Sequence, residues 1–99
     1  MRTRTVGDRE KVSIIAKSDD GYVIYLSNRK ITAKVADYLD NVTLRIGREK
    51  KILIEPIELV NRYSSNEGLI VLKVSGDIDD TMIEDAILDY AQEYIEYII

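Results

Sequence analysis

The stretch Lys11-Val-Ser-Ile-Ile-Ala-Lys17, Ser18-Asp-Asp-Gly21 and Tyr22-Val-Ile-Tyr-Leu26 decides most of what the sequence predicts about the fold. Two runs rich in β-branched and aromatic residues flank an Asp-Gly pair, the strongest short-range signal for a β-hairpin. Asp and Gly tolerate the positive φ that tight hairpin turns demand. We therefore predict an antiparallel hairpin with strands at about 11–17 and 22–26.

Two more hairpins are predicted downstream, at about 43–46/51–55 and 57–63/69–75. The tip of the first, Gly47-Arg-Glu-Lys50, is basic, and the second closes over Ser64-Ser-Asn-Glu-Gly68. Pro56 separates the two hairpins, because proline cannot donate a hydrogen bond to a strand ladder and suits a strand end or an edge.

Helical periodicity occurs twice. A short helix at about 30–40 is indicated by apolar residues with i, i+4, i+7 spacing, and Ser27 or Asn28 is a suitable cap. The motif Thr81-x-x-Glu84 is a capping box, and it opens a long amphipathic helix at about 81–98. The chain is therefore predicted to be a single α+β domain over residues 1–99, with residues 1–10 as a flexible basic arm.

The apolar face of the C-terminal helix is unusually wide. At about 100° per residue it covers roughly 220°, about twice what packing on one side requires. We expect burial on two sides, against the protein's own sheet and against a second copy in a homodimer. The alternative is that a curled sheet wraps the helix within one monomer. The residues predicted for self-association are Ile83, Ile87, Tyr90, Tyr94, Ile95 and Ile98.

Charge is divided between the two halves of the chain. The first 51 residues hold twelve basic and seven acidic side chains, whereas the last 48 hold two basic and eleven acidic ones. Between Asp77 and Ile99 there are eight carboxylates and no lysine or arginine. Such asymmetry indicates either a charged partner or a docking surface within the molecule.

Nucleic-acid binding through the basic half is the alternative function. The candidate phosphate contacts are Arg2, Arg4, Arg29, Lys30, Arg48, Lys50 and Lys51. A net charge of −4 and a pI near 4.8 argue against this alternative, since a nucleic-acid-binding domain is usually basic.

Composition excludes most catalytic chemistry. The chain has no Cys and no His, so disulfides, thiolate metal sites and the usual nucleophile systems are excluded. The acidic cluster at Asp77–Asp80 fails the calcium-loop template, because Met82 and Leu88 stand where Gly and Glu are required. We expect no enzymatic activity, cofactor or metal. The sequence also lacks an apolar run long enough for a membrane span and a secretory signal, so an intracellular protein is expected.

The whole-chain character resembles a group of viral proteins. A Cys-free, His-free, Ile- and Tyr-rich chain with Lys11-Val-Ser-Ile-Ile-Ala-Lys17 and Tyr90-Ala-Gln-Glu-Tyr-Ile-Glu-Tyr-Ile-Ile99 is similar to small proteins of unknown function from filamentous viruses of acidophilic, hyperthermophilic archaea (lipothrixvirus and rudivirus type). The resemblance implies a thermostable, acid-stable, homodimeric viral protein in the infected host cytoplasm or the virion. It carries over no site residues and no activity. The leading expectation is thus a structural or interaction protein that self-associates or binds another protein.

Overall fold

The computed structural model describes residues 2–7, 9–40, 43–46, 50–62, 66–76 and 79–99, with the backbone alone for 43–46, 50–52 and 62. It confirms the α+β fold class. The elements are β1 (Arg2–Val6), β2 (Glu10–Ser18), β3 (Gly21–Leu26), a 3₁₀ turn (Arg29–Ile31), α1 (Thr32–Asp40), β4 (Thr43–Ile46), β5 (Lys50–Arg62), β6 (Glu67–Ser75) and α2 (Asp80–Ile98).

All six strands form one antiparallel sheet in the order β1-β2-β3-β6-β5-β4. The three predicted hairpins are present as β2–β3, β4–β5 and β5–β6. The sheet is completed by β3 pairing with β6, which places the two most apolar strands at its centre. Both chain halves therefore contribute three consecutive strands to a common sheet.

Two predictions about the strands were wrong. Residues Arg2–Val6 are a strand paired with β2, not a flexible arm. Pro56 does not end a strand, because β5 continues through it to Arg62. The register shifts between Pro56 and Glu58, and this bulge is where a residue without an N–H is tolerated.

Both helices cover the same face of the sheet. Each one packs on strands of the opposite half: α1 lies on β5 and β6, and α2 lies on β1 and β2, while the two helices also contact each other. Between the layers lies one apolar core, in which Ile24, Ile70 and Ile87 are fully inaccessible. Burying each such side chain contributes roughly 1.5–3 kcal/mol. Because each helix packs on strands of the other half, the two halves share one hydrophobic core.

The halves β1-β2-β3-α1 and β4-β5-β6-α2 have the same order of elements, and each has a bulge in its middle strand. One bulge falls between Ile14 and Ala16 and the other between Pro56 and Glu58. Aligning the bulges makes Val23 equivalent to Val71, and these two residues are directly opposite each other in the β3–β6 ladder. An approximate two-fold axis therefore passes between them, perpendicular to the sheet.

Two glycines are required by close packing. A Cβ on Gly21 would lie 1.9 Å from the Leu72 carbonyl oxygen, and one on Gly68 would lie 1.9 Å from Thr32 Oγ1. The turn between β2 and β3 is formed by Asp19 and Asp20, and neither has the positive φ expected from the Asp-Gly signal. Gly21 is thus needed for contact with a neighbouring strand rather than for turn geometry.

The helix starts are capped by side chains. Asn28 Oδ1 accepts a hydrogen bond from the Lys30 N–H at 3.0 Å, as predicted for the first helical segment. At α2 the cap is Asp79 and not the predicted Thr81: Asp79 Oδ1 accepts from the Thr81 N–H at 2.8 Å. A carboxylate at that position also interacts favourably with the positive end of the helix dipole.

Candidate interaction surface

The wide apolar face of α2 is largely used inside the monomer. Of the residues predicted for self-association, Ile83, Ile87 and Ile95 belong to the core, with exposures of 5%, 0% and 0%. Tyr90, Tyr94 and Ile98 are half-buried. The sheet covers one side of the helix and α1 covers another. Burial on two sides, which we expected from a second copy, thus arises within one chain, with α1 rather than a curled sheet as the second surface.

Four tyrosines form an aromatic row where α1 meets the end of α2, and we call Tyr38, Tyr90, Tyr94 and Tyr97 the tyrosine ladder. The rings of Tyr38 and Tyr94 stack with centroids 4.3 Å apart. The rings of Tyr90 and Tyr97 lie 6.5 Å from Tyr38 and Tyr94, respectively. Burial, with a further contribution from Glu93, raises the pKa of Tyr38. Tyr97 at the end of the row is 85% exposed.

The two charge poles meet within the molecule. Arg2 pairs with Asp85, and Lys17 pairs with Asp80 at the start of α2. Arg4 Nη1 lies 2.6 Å from Asp89 Oδ1 and 3.1 Å from Gln92 Oε1. The hydrogen bond from Lys17 to Asp80 raises the pKa of that lysine. The acidic helix is therefore docked on the basic strands β1 and β2, which explains much of the charge asymmetry.

The candidate nucleic-acid contacts are not brought together. Arg2 and Arg4 lie on edge strand β1, whereas Lys50 and Lys51 lie on β5, four strand spacings or roughly 19 Å away. Arg29 and Lys30 form the 3₁₀ turn, where the Arg29 N–H donates to the Asn66 carbonyl oxygen at 2.9 Å. Arg48 lies outside the described residues. The described candidates thus occupy separate parts of the molecule.

The largest feature that the sequence reasoning missed is the second face of the sheet. Neither helix covers it, and we call it the open face. Register places Ala16, Val23 and Val71 in one row across the strands, and Tyr25, Leu69 and Val60 in the next. Ile57 borders the same surface beside Val23 and Val71. The exposed fractions of Leu53, Ile57 and Val60 are 42%, 63% and 36%.

This composition differs from that of a solvated sheet face. An antiparallel sheet with one face in water normally alternates apolar and polar residues. In contrast, β3 (Gly21–Leu26) and β6 (Glu67–Ser75) place apolar side chains on both faces. Continuous apolar runs of this kind are typical of strands buried on both sides. That signal was present in the sequence, and it predicts a second covering layer.

Charges of both signs surround the apolar rows of the open face. Glu55 is directly opposite Lys73, and Glu58 is opposite Val71. The Tyr25 hydroxyl hydrogen-bonds Glu67 Oε1 at 3.2 Å. Burial raises the pKa of Tyr25, and the hydrogen bond to Glu67 raises it further. The described charges of this face nearly balance, so it favours neither an anionic nor a cationic partner.

Comparison with known proteins gives no match: no family model, no curated protein and no solved structure is similar to this chain at a significant level. Among the described residues, no three carboxylates are grouped in a way that would hold a metal ion. Neither described helix is long and apolar enough to cross a membrane. Surface chemistry and shape are therefore the basis for a functional proposal.

Proposed function

We propose that the protein is a non-enzymatic structural or interaction protein that self-associates by packing the open faces of two copies against each other. The observation that carries the proposal is the arrangement of apolar residues on that face: Val23 and Val71 lie opposite each other at its centre, other apolar side chains lie beside them, and neither described helix covers them. Val23 and Val71 are half-buried, and Ile57 and Val60 beside them are exposed, so the rows form an accessible apolar surface of the kind that marks an interaction site.

The size of the face fits a second copy. Six strands at about 4.8 Å spacing span roughly 29 Å, and five to six residues at about 3.3 Å run for roughly 18 Å. The flat footprint is therefore about 500 Å², which is of the same order as the ~800 Å² that each partner buries in a stable interface. Two such sheets pack at about 10 Å separation, as in a β-sandwich.

The charge pattern also fits a second copy. Glu55, Glu58 and Glu67 carry negative charge on the open face, and Lys11 and Lys73 carry positive charge. In a two-fold dimer the same patch occurs on both partners, so a face with both signs can pair acids of one copy with lysines of the other. A strongly single-signed face would repel itself.

The alternative, nucleic-acid binding, is supported less well. Arg2 and Arg4 are engaged by carboxylates of α2, and the open face carries three glutamates beside its one described aromatic, Tyr25. Phosphates would be repelled by those carboxylates. In the filamentous-virus setting that the sequence resembles, we propose the dimer as a thermostable, acid-stable component of the infected cell or the virion.

Sedimentation velocity tests the proposal. We expect the wild-type chain to sediment as a dimer, and Val71→Lys and Leu69→Lys each to produce monomers with an unchanged circular dichroism spectrum. Met82→Lys is the matched control, because Met82 is 48% exposed on α2 and lies away from the open face. A monomeric wild-type protein at high concentration would refute self-association. If dimers persist in both open-face variants but dissociate in Tyr94→Asp, the interface lies on α2, as the sequence predicted.

A further inference from the structure

The structure points to a second binding surface: we infer that the tyrosine ladder and Glu93 bind an arginine-rich segment of a partner protein. The proposal is independent of self-association, because the ladder lies on the helix layer and the open face lies on the opposite side of the sheet. It assigns a role to the end of α2 that neither the core nor the charge pairing with β1 accounts for.

Exposure singles out the end of the ladder. Tyr38, Tyr90 and Tyr94 are half-buried and hold α1 against α2, whereas Tyr97 is 85% exposed. One side of the Tyr97 ring faces Tyr94 at a centroid distance of 6.5 Å. The remaining surface of the ring is open to solvent. A large exposed aromatic beside a packed aromatic row offers a platform for a flat ligand group.

The charges around the tyrosine ladder indicate which kind of planar group would bind there. Glu93 lies three residues after Tyr90 and four before Tyr97, so all three share one helix surface. The carboxylate of Glu93 is close enough to Tyr38 to help raise the pKa of that phenol. Neither α1 nor α2 has a basic residue in its last turn, so no lysine or arginine there offsets the negative ends of the two helix dipoles.

A guanidinium satisfies all of these features. It is planar and stacks on an aromatic face while donating hydrogen bonds to a carboxylate in its own plane. An ammonium makes the cation–π contact without the stacking. Among the described residues, no lysine or arginine forms an ion pair with Glu93. The occupant is therefore an arginine side chain supplied by another protein, in a segment rich enough in arginine to engage both Tyr97 and Glu93.

The test is titration of the 99-residue chain with a blocked hexa-arginine peptide. Because the chain has seven tyrosines and no tryptophan, tyrosine emission reports binding directly, and calorimetry gives the affinity. We expect Tyr97→Ala and Glu93→Gln each to weaken binding roughly two- to fivefold, as expected for one cation–π or exposed ionic contact. Hexa-lysine should bind more weakly than hexa-arginine.

Matched controls come from the other end of the same helix. Met82→Ala removes an exposed apolar side chain and Glu84→Gln removes a carboxylate, and neither should alter the affinity for hexa-arginine. The affinity should also be the same in the monomeric Val71→Lys variant, which separates this surface from the dimer interface. Wild-type affinity in Tyr97→Ala and Glu93→Gln would overturn the inference. So would an equal loss in Glu84→Gln, since binding would then reflect only the general acidity of α2.

Discussion

The two faces of the sheet differ most clearly at neighbouring residues of β6. Ile70 lies beneath the helix layer and is fully inaccessible, whereas Val71 points the other way, onto a face that no described helix covers. Both positions are aliphatic. In a sheet with one solvated face, apolar and polar residues alternate along each strand, so position 71 would be expected to hold a polar residue. The comparison shows that this sheet has the composition of a middle layer, whereas the described helices supply only one of the two outer layers that such a sheet would have.

The largest loss of stability is expected from shortening a side chain on the covered face, which is the face of the sheet that lies beneath the two helices. Ile70→Ala leaves a cavity under the helices and should lower the free energy of unfolding by about 2–5 kcal/mol, whereas Val71→Ala should lower it by less than about 1 kcal/mol. Urea denaturation at a concentration low enough to hold both variants monomeric measures the difference. Equal losses at the two positions would show that both faces are covered in the isolated chain.

A second prediction concerns how closely α1 approaches the covered face. Gly68→Ala places a methyl group against Thr32 Oγ1 and should destabilise the protein by about 1–3 kcal/mol. Thr32 is fully buried, and its Oγ1 has no hydrogen-bond partner among the described residues. Adding Thr32→Ala to Gly68→Ala should therefore recover part of the loss in a thermal-unfolding double-mutant cycle. If the two costs are simply additive, the contact between these residues is not the cause.

Smaller losses of stability are expected from removing the ion pairs between α2 and β1. Arg4→Gln removes the contacts with Asp89 and should cost less than about 1 kcal/mol, since both side chains are partly exposed. The difference from wild type should shrink further in high salt, because screening weakens exposed pairs. Arg9→Gln in the turn between β1 and β2 is the control, because exposed Arg9 makes no ion pair with another described residue. A larger loss for Arg9→Gln would contradict the role of the pair.

The smallest signal is a pH dependence in the alkaline range. Burial raises the pKa of Tyr22 on the covered face, with smaller contributions from Glu84 and Asp80, and the pKa of Tyr25 on the open face is raised as well. A folded-state pKa above the unfolded value of about 10 stabilises the protein below that pH, and the stabilisation is lost as pH rises through the folded value. Unfolding free energy should therefore fall above about pH 10.

The absorbance of the phenolate form measures the ionisation of the tyrosines. The variants Tyr22→Phe and Tyr25→Phe identify which part of the signal belongs to each residue. In the proposed dimer Tyr25 is buried further, so its ionisation should shift to higher pH as protein concentration rises, while that of Tyr22 should not. Concentration-independent titration of Tyr25 would argue against the open face as the interface.

The sequence predicted the elements whose signals are local. The β2–β3 hairpin, both helices and the remaining hairpins follow from periodicity and turn residues within a few positions. Strand β1 was missed because Arg2 and Arg4 are stabilised there by Asp85 and Asp89, more than 80 residues away in the chain. Pro56 was misread because a bulge forms only when β5 pairs with β6.

The candidate surfaces were predicted less well than the fold. The apolar width of α2 was correctly recognised as needing two partners, but α1 supplies the second one, so Ile83, Ile87 and Ile95 are buried within the monomer. The apolar runs of β3 and β6 contained the signal for the open face. Alternate residues of a strand point to opposite faces of a sheet. Which of these residues form the uncovered face could therefore not be predicted before the strand order and the positions of the helices were known.

The approximate two-fold relation between the halves bears on how two copies would choose their orientation. Rotating one copy by half a turn about the axis through Val23 and Val71 presents nearly the same relief to the other, so two docked arrangements compete. The equivalence is broken by charge, since Glu58 occupies the position equivalent to Ala16, and Lys73 the position equivalent to Tyr25. In the proposed dimer the shape of the faces would allow either arrangement, and these two side chains would decide between them.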